Sequence, residues 1–525
     1  MADYIVTQND IALLKQKNKI CYAKIELLNK NLIPINNITG SIISGNYSFD
    51  ADSNLRRTSS LVINLTSSKI TIDEHLLHTS FLKIYVGFYS YGENNIIYYN
   101  EGIYLFDSLN FNYNVTTNTL TLSNIDYMGN YDIEHNGSIV NGNGLIASSL
   151  LTIPAGSNIR NALISAIIEF GITDYNIDEM GTYYDTTLNE NNTVPYDIEF
   201  KAGDSLLDLI VKLRDLYPSW EAFFDKDGVF VCRLIPTLEE DDCVISAQLM
   251  EDLIIDESVS SNLSDIKNIV NLWGKELEVD RYTDVVSSVS NSNITTYNVI
   301  LETFSETDYV DGMTIGIKID QSTTGTKTYI NINSLGSIQV IDYMNQSDIS
   351  TDSFKADEIY LFKYSLPINK FYYAGQYQVH ALAYLTAYDP LSNAEGQRTL
   401  SRIKEKYKCN NIIYTVNPDS PYCVEYIGDK ITTCSGDDYD NIYYDSLALS
   451  NADYELWKTS RLNDNITLEM IYIPWLDVNM KIEYRKQNET ESHQYIIKSI
   501  NADIGFCTMT VTMMRFYNLY KNTDK

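Results

Sequence analysis

Basic residues are scarce in this chain: 38 Lys and Arg stand against 70 Asp and Glu, a net charge of −32. A surface of that sign repels a phosphate backbone, which argues against stable nucleic-acid binding. Histidine is scarcer still, with only His75, His78, His135, His380 and His493, widely separated. His75 and His78 stand close enough to share a helix face, but two imidazoles without further ligands do not make a structural zinc site. No apolar run approaches the ~20 residues of a membrane-spanning helix, so membrane insertion is not expected. The opening Met1-Ala2-Asp3-Tyr4 carries no basic region followed by an apolar one, and cytoplasmic assembly is the expectation.

Seven cysteines form no CxxC pair and none sits at zinc-ligand spacing from a histidine. Reduced, mostly buried thiols are expected. No nucleophile elbow, phosphate-binding loop, dinucleotide fingerprint or HExxH pair occurs. Asp225-Lys226-Asp227-Gly228 resembles the start of a calcium loop, but the twelfth position is Pro236 rather than Glu, and a hairpin turn fits better. Among 70 acids any chosen carboxylate pair is uninformative. The sequence therefore assigns no catalytic, metal-binding or cofactor-binding residue, implies no cofactor, and is read as non-enzymatic.

What is abundant is tyrosine, 42 residues, in a chain with a 44% hydrophobic fraction. Tyr, Ile and Thr suit pleated, half-buried strands, and Tyr-rich surfaces suit large, partly wet protein interfaces. Two stretches lack any base: Asn161–Phe200 with eight acids and Leu234–Ile266 with nine. The plain reading is a soluble acidic surface; the sharper one is a surface past which DNA slides without adhering.

The first ~130 residues read as short strands with turns between them. Ser41–Asp50, Ser59–Leu65, Phe81–Tyr89, Ile96–Tyr99, Gly102–Phe106 and Val115–Leu122 carry the pattern. From about Leu150 the period changes. Ile159, Leu163, Ala166, Ile167 and Phe170 form a helical stripe ended by Gly171. Gly203-Asp204-Ser205 caps a second helix whose inner face holds Leu206, Leu207, Leu209, Ile210 and Leu213. Trp220–Phe224 and Val229–Ile235 flank the Asp225–Gly228 turn. Asn268–Gly274 opens a second β-rich region, and residues ~280–350 are Ser/Thr/Asn-rich and weakly patterned, suggesting an inserted subdomain. Helices are expected over Ala394–Lys406 and Ser446–Ser460, the latter with Leu447, Ala448, Ala452, Leu456 and Trp457 inward. Strands close the chain at Ile466–Ile473, Met480–Tyr484, Tyr495–Ile500 and Cys507–Met514.

Several of these segments resemble bacteriophage tail hub proteins, the group of contractile-phage baseplate hubs and the N-terminal part of siphophage tail-associated proteins. The resemblance runs through Ile38–Ser41, Ser48–Arg57, Gly102–Ser108, Tyr113–Leu120, Phe200–Leu209, Asp225–Phe230 and Asn268–Gly274. It is most specific in Ser435–Ile442, Asp453–Trp457, Ile473–Asn479, Tyr495–Ile500 and Met513–Tyr517. The order of the segments carries it, since none is a chemical motif.

The resemblance implies a β-rich α+β multidomain fold with two tube-forming β-barrel domains and α+β accessory domains. Residues 1–145 would form the first barrel and 146–262 an α+β accessory domain. Residues 263–525 would form the second barrel, opened by Asn268–Gly274, with an inserted or accessory subdomain at roughly 280–435. It implies a structural virion protein: a homotrimeric tail-tip or baseplate hub that closes the tail tube, with an acidic lumen for DNA ejection. Its partners would be a tail tube or distal tail protein, the tape measure protein and a tail fibre or spike. The virion tail tip is then the expected location. The chain stops just past the hub pattern, so wall-degrading or receptor-binding modules are expected on other subunits. The alternative is a tail adhesin that binds a host cell-wall glycan through exposed Tyr and Trp, and a toxin-injection particle would use the same hub fold.

Overall fold

The computed structural model describes residues 6–66, 80–107, 112–132, 150–154, 156–179, 194, 198–216, 220–235, 243–261, 263–276, 281–301, 308–342, 347–349, 351, 353–376, 378–436, 439, 442, 445–462, 465–487 and 489–516. His75, His78, His135 and much of the first base-free stretch lie outside them.

Seven strands open the fold: β1 (Cys21–Leu28), β2 (Pro34–Asp50), β3 (Arg57–Leu65), β4 (Phe81–Ser90), β5 (Asn95–Phe106), β6 (Asn112–Asn114) and β7 (Thr119–Asp126). β3 alternates buried and outward positions along its length, as strict period-2 patterning demands. The order β1-β4-β5-β7-β3-β2 closes on itself because β1 also pairs with β2. Ile96–Tyr99 and Gly102–Phe106, expected as two strands, are one strand with a bulge. Ile84 faces Gly102 and Tyr85 faces Asn100, leaving Glu101 as the extra residue, and Gly102 takes φ +118°, open only to glycine at low cost.

β2 is 17 residues long, and that length organises the molecule. One edge pairs with β3; the other pairs first with β1 and then, over Asn46–Asp50, with a strand about 450 residues later, β28 (His493–Asp503). The α+β region comes between in sequence, with β8 (Leu150–Ile153), β9 (Tyr175–Ile177), β10 (Ile198–Lys201), β11 (Trp220–Phe224) and β12 (Phe230–Leu234). Its helices are Ile159–Glu169, capped by Asn158, and Leu206–Arg214, where Ser205 and Asp208 form a reciprocal capping box. Both match the sequence reading, including the stop at Gly171, φ +85°.

β13 (Ile254–Ser260) follows and joins β26 (Asn465–Ile471), β27 (Lys481–Tyr484), β28 (His493–Asp503) and β29 (Thr508–Arg515). Together with the first seven they form one twelve-stranded sheet. Apolar residues from both ends of the chain, among them Ile25, Tyr47, Leu61, Ile466, Ile497 and Val511, pack into a single core. β14 (Ile269–Glu276), which contains the segment read as the opening of the second barrel, is not in that sheet. It pairs instead with β23 (Gln378–Thr386) and β25 (Ile431–Cys434) in a four-stranded sheet completed by β24 (Ile412–Val416). The run Ile269-Val270-Asn271-Leu272 is apolar on both faces because both faces are covered. Helix Asp445–Thr459 packs Leu447, Ala448, Ala452 and Leu456 against one, and helix Ala394–Tyr407 packs Ile403 against the other.

The weakly patterned stretch is a folded unit: residues 282–376 form an eight-stranded mixed sheet, β15 to β22, around Tyr297, Ile315, Ile330, Phe354, Phe362 and Phe371. Threonine hid the pattern. Thr295 and Thr328 occupy fully buried positions of alternating strands, and the Thr295 hydroxyl accepts from the amides of Thr324 and Gly325. The cysteines also depart from expectation. Cys21 and Cys507 are joined in a disulfide that links β1 to the loop before β29; the five others form no disulfide and, apart from Cys243, are buried as expected.

Candidate functional site

Three segments quoted for their resemblance, Leu55–Arg57, Asp225–Phe230 and Ile473–Asn479, converge on one place. Arg56 and Arg57 enter β3 with side chains almost fully buried, which an unpaired guanidinium could not tolerate. Arg56 donates to Glu221 Oε2 on β11 at 3.0 Å and to the Val478 carbonyl, with its Nε 3.3 Å from Asp477. Its guanidinium lies 3.9 Å from the centre of the Phe223 ring. Arg57 donates to the Phe224 carbonyl at 2.7 Å and pairs with Asp477 Oδ2. Glu221 also receives Arg233 at 2.9 Å and the Asn479 amide at 2.8 Å.

The hairpin tip extends the network. Asp225 Oδ1 accepts from the amides of Asp227 and Val229, so that carboxylate oxygen closes a turn. Lys226 reaches the Pro474 carbonyl at 2.7 Å and lies 3.5 Å from Glu101, the bulge residue of β5. Asp227 takes Lys83 at 2.7 Å and the Asn100 amide at 2.9 Å. Gly228, at φ +89°, must be glycine: a Cβ there would stand 2.8 Å from Ile103 and 2.9 Å from Leu32. The hairpin of the α+β region thus plugs into the seam between the first strands and the last.

Four bases (Arg56, Arg57, Arg233, Lys226) meet four acids (Glu221, Asp477, Asp126, Glu101), Arg233 and Lys226 being only partly buried. Burial alone would raise the Asp477 pKa, but Arg56 and Arg57 overcome it and hold the carboxyl well below the usual range. Burial pushes Asp126 up, against the pull of Arg57. Glu101 behaves differently: burial drives it up to about 7, and Lys226, the Tyr472 hydroxyl and the Arg57 charge together do not reverse this. The cluster can hold three segments in register, and its ions are already engaged with one another.

The segments holding Arg56, Arg57, Asp477 and Asn479 carry the sequence resemblance, though with no role assigned to any of these residues, and Glu221, Arg233 and Asp126 lie outside it. The available signal was two adjacent arginines inside a strand pattern, in a chain with few bases. The acids of the second base-free stretch are partly paired from elsewhere, Asp252 with Lys15 at 2.5 Å and Glu251 with Arg485 at 2.7 Å. Of the described histidines, His493 lies beside Arg515 and Glu489, and His380 stacks on Trp273. Trp457, expected inward, is half-buried against Tyr454 and Arg461.

A family model described as a domain of unknown function, DUF5048, matches residues 419–520. No curated protein matches the sequence. Among solved structures, the chain is similar to the tail protein from Neisseria meningitidis MC58, at 8% identity and TM-score 0.43, covering 94% of this chain and 96% of that one. It is similar to the prophage MuSo2 43 kDa tail protein from Shewanella oneidensis, at 8% identity and TM-score 0.40, covering 94% and 98%. It is also similar to the prophage tail protein gp18 from Listeria monocytogenes EGD-e, at 7% identity and TM-score 0.36, covering 94% of each. By their printed names all three are tail proteins.

Proposed function

We propose that this chain is a structural, non-enzymatic hub of a phage tail tip, acting as a homotrimer that closes the tail tube. The observation that supports the reading best is the β2–β28 pairing, by which strands from the two ends of the chain join side by side around one core. One subunit then offers two adjacent β units, and three subunits offer six, the number a hexameric tube presents. The ionic junction fits this role: it fixes the angle between the β units and the α+β region, a requirement for a ring that must close. The chain's −32 charge supports a lumen that repels passing DNA. In this reading the partners are the tube or distal tail protein, the tape measure protein and a fibre or spike, at the tail tip of the virion.

Light scattering of the purified chain, followed by negative-stain imaging, tests the proposal. Trimeric rings with a central opening are the expected result. A monomer that forms no ring even with tube protein added overturns it.

A further inference from the structure

Without any residue of the ionic junction, the inserted eight-stranded sheet and the four-stranded sheet frame an open cleft of about 900 Å3. Trp273 on β14 and its cross-strand neighbour His380 on β23 lie in it. Their rings are stacked at 3.7 Å between centroids and 5° between planes, and both are only half-buried. The imidazole is fixed by Asn271, at 2.5 Å from Nε2, and burial lowers its pKa to about 4, so the pair is uncharged at neutral pH. Each ring covers one face of the other, so the pair offers a ligand one outer ring face, a rigid aromatic plate held by the strands beneath it.

Around the plate the groups are polar and balanced. Lys318, Lys404 and Lys408 are matched by Asp357, Glu358 and Glu405, so the cleft is neutral within a strongly acidic chain. Gln378 and Asn410 add amides to the lining of the cleft, and Gln378 Nε2 donates to the Gly274 carbonyl. With the charges balanced, the cleft as a whole attracts neither an anion nor a cation. A neutral ligand with one apolar face and many hydroxyls fits it, because an aromatic plate takes the C–H face while amides, carboxylates and ammonium groups bond the hydroxyls.

We propose that this cleft binds a neutral saccharide, with one pyranose ring resting on the Trp273–His380 plate and its hydroxyls bonded by Gln378 and Asn410. The site would give the chain a direct contact with a glycan surface, whether or not it is a tail hub, since nothing in the cleft belongs to the β2–β28 seam.

The test titrates the full chain with N-acetylglucosamine, glucose and galactose oligomers, and with polyglycerol phosphate as the anionic comparison. Intrinsic tryptophan fluorescence and calorimetry are the readouts. Saturable binding of at least one neutral oligomer is expected, with quenching of Trp273. Trp273→Ala should weaken it about tenfold or more. The exposed-side double variant Gln378→Ala/Asn410→Ala should do the same at unchanged melting temperature, which keeps the test valid if the tryptophan variant does not fold. Binding that survives both variants, saturation only by the anionic polymer, or no saturable binding of any neutral oligomer overturns the proposal.

Discussion

The inserted sheet and the seam between the chain's ends solve the same problem with opposite chemistry. The inserted sheet draws its core from one stretch, residues 282–376, and fills it with Ile, Val, Phe and Tyr. At the seam, residues near positions 57, 225 and 477 meet, and there the structure gathers four bases and four acids, six of them buried. Apolar contact is non-directional and serves well when short connections already limit how strands can meet. Segments separated by hundreds of residues have no such limit, and charge-assisted hydrogen bonds set their register one partner at a time. The cost is that a seam of this kind tolerates no missing partner.

The largest expected effect follows directly. Asp477→Ala leaves Arg56 and Arg57 buried without their carboxylate and should destabilise the protein by about 3–5 kcal/mol. Hydrogen exchange should then accelerate in the first strands, the α+β hairpin and the last strands together, with residues 282–376 unaffected. Ile330→Ala should do the reverse, loosening only the inserted sheet by about 2–5 kcal/mol. Equal acceleration everywhere in either variant would break the comparison.

The next effect is a pH dependence. The Glu101 pKa is raised in the fold to about 7 from its ordinary 4.5, so the folded state holds a proton that the unfolded state has released. Stability therefore falls as pH rises from about 4.5 to about 7, by up to about 3 kcal/mol. Asp477 has the opposite sign: its contribution is complete above its unfolded pKa and is lost only as pH falls below the carboxylate range. Urea denaturation across pH 4.5–8 should show the decline in the parent and not in Glu101→Gln. A parallel slope in the variant would remove Glu101 as its source.

The smallest effect sharpens the comparison at the hairpin tip. Gly228→Ala brings a methyl against Leu32 and Ile103 and imposes a left-handed conformation on alanine, costing roughly 1–2 kcal/mol. Because the turn docks on the first strands, its loss should be felt as weakened hairpin docking, read by proteolysis at residues 225–228.

Much of the local structure was legible. Helices Ile159–Glu169, Leu206–Arg214, Ala394–Tyr407 and Asp445–Thr459 announce themselves through apolar spacing and caps, since both signals act within a few residues. The β-rich, multi-sheet class was legible from the same periodicity. An inserted subdomain was expected at roughly 280–435, but the strands of its sheet were not read, because buried threonines such as Thr295 and Thr328 read as polar in a sequence. Assigning Asn268–Gly274 to the barrel failed for a related reason. A strand buried on both faces carries no alternation that would name its neighbours, and these proved to be β23 and β25.

The amino-acid sequence by itself determined most of the strands, the helices and the acidic charge, because each of these depends on residues close together or on composition. Only the tertiary structure decided which strands share a sheet, that β2 closes one barrel with its first half and reaches the far end of the chain with its second, that Cys21 meets Cys507, and that Trp273 lies on His380. Those pairings join residues tens to hundreds of positions apart, and their energies depend on burial and geometry that no local window contains.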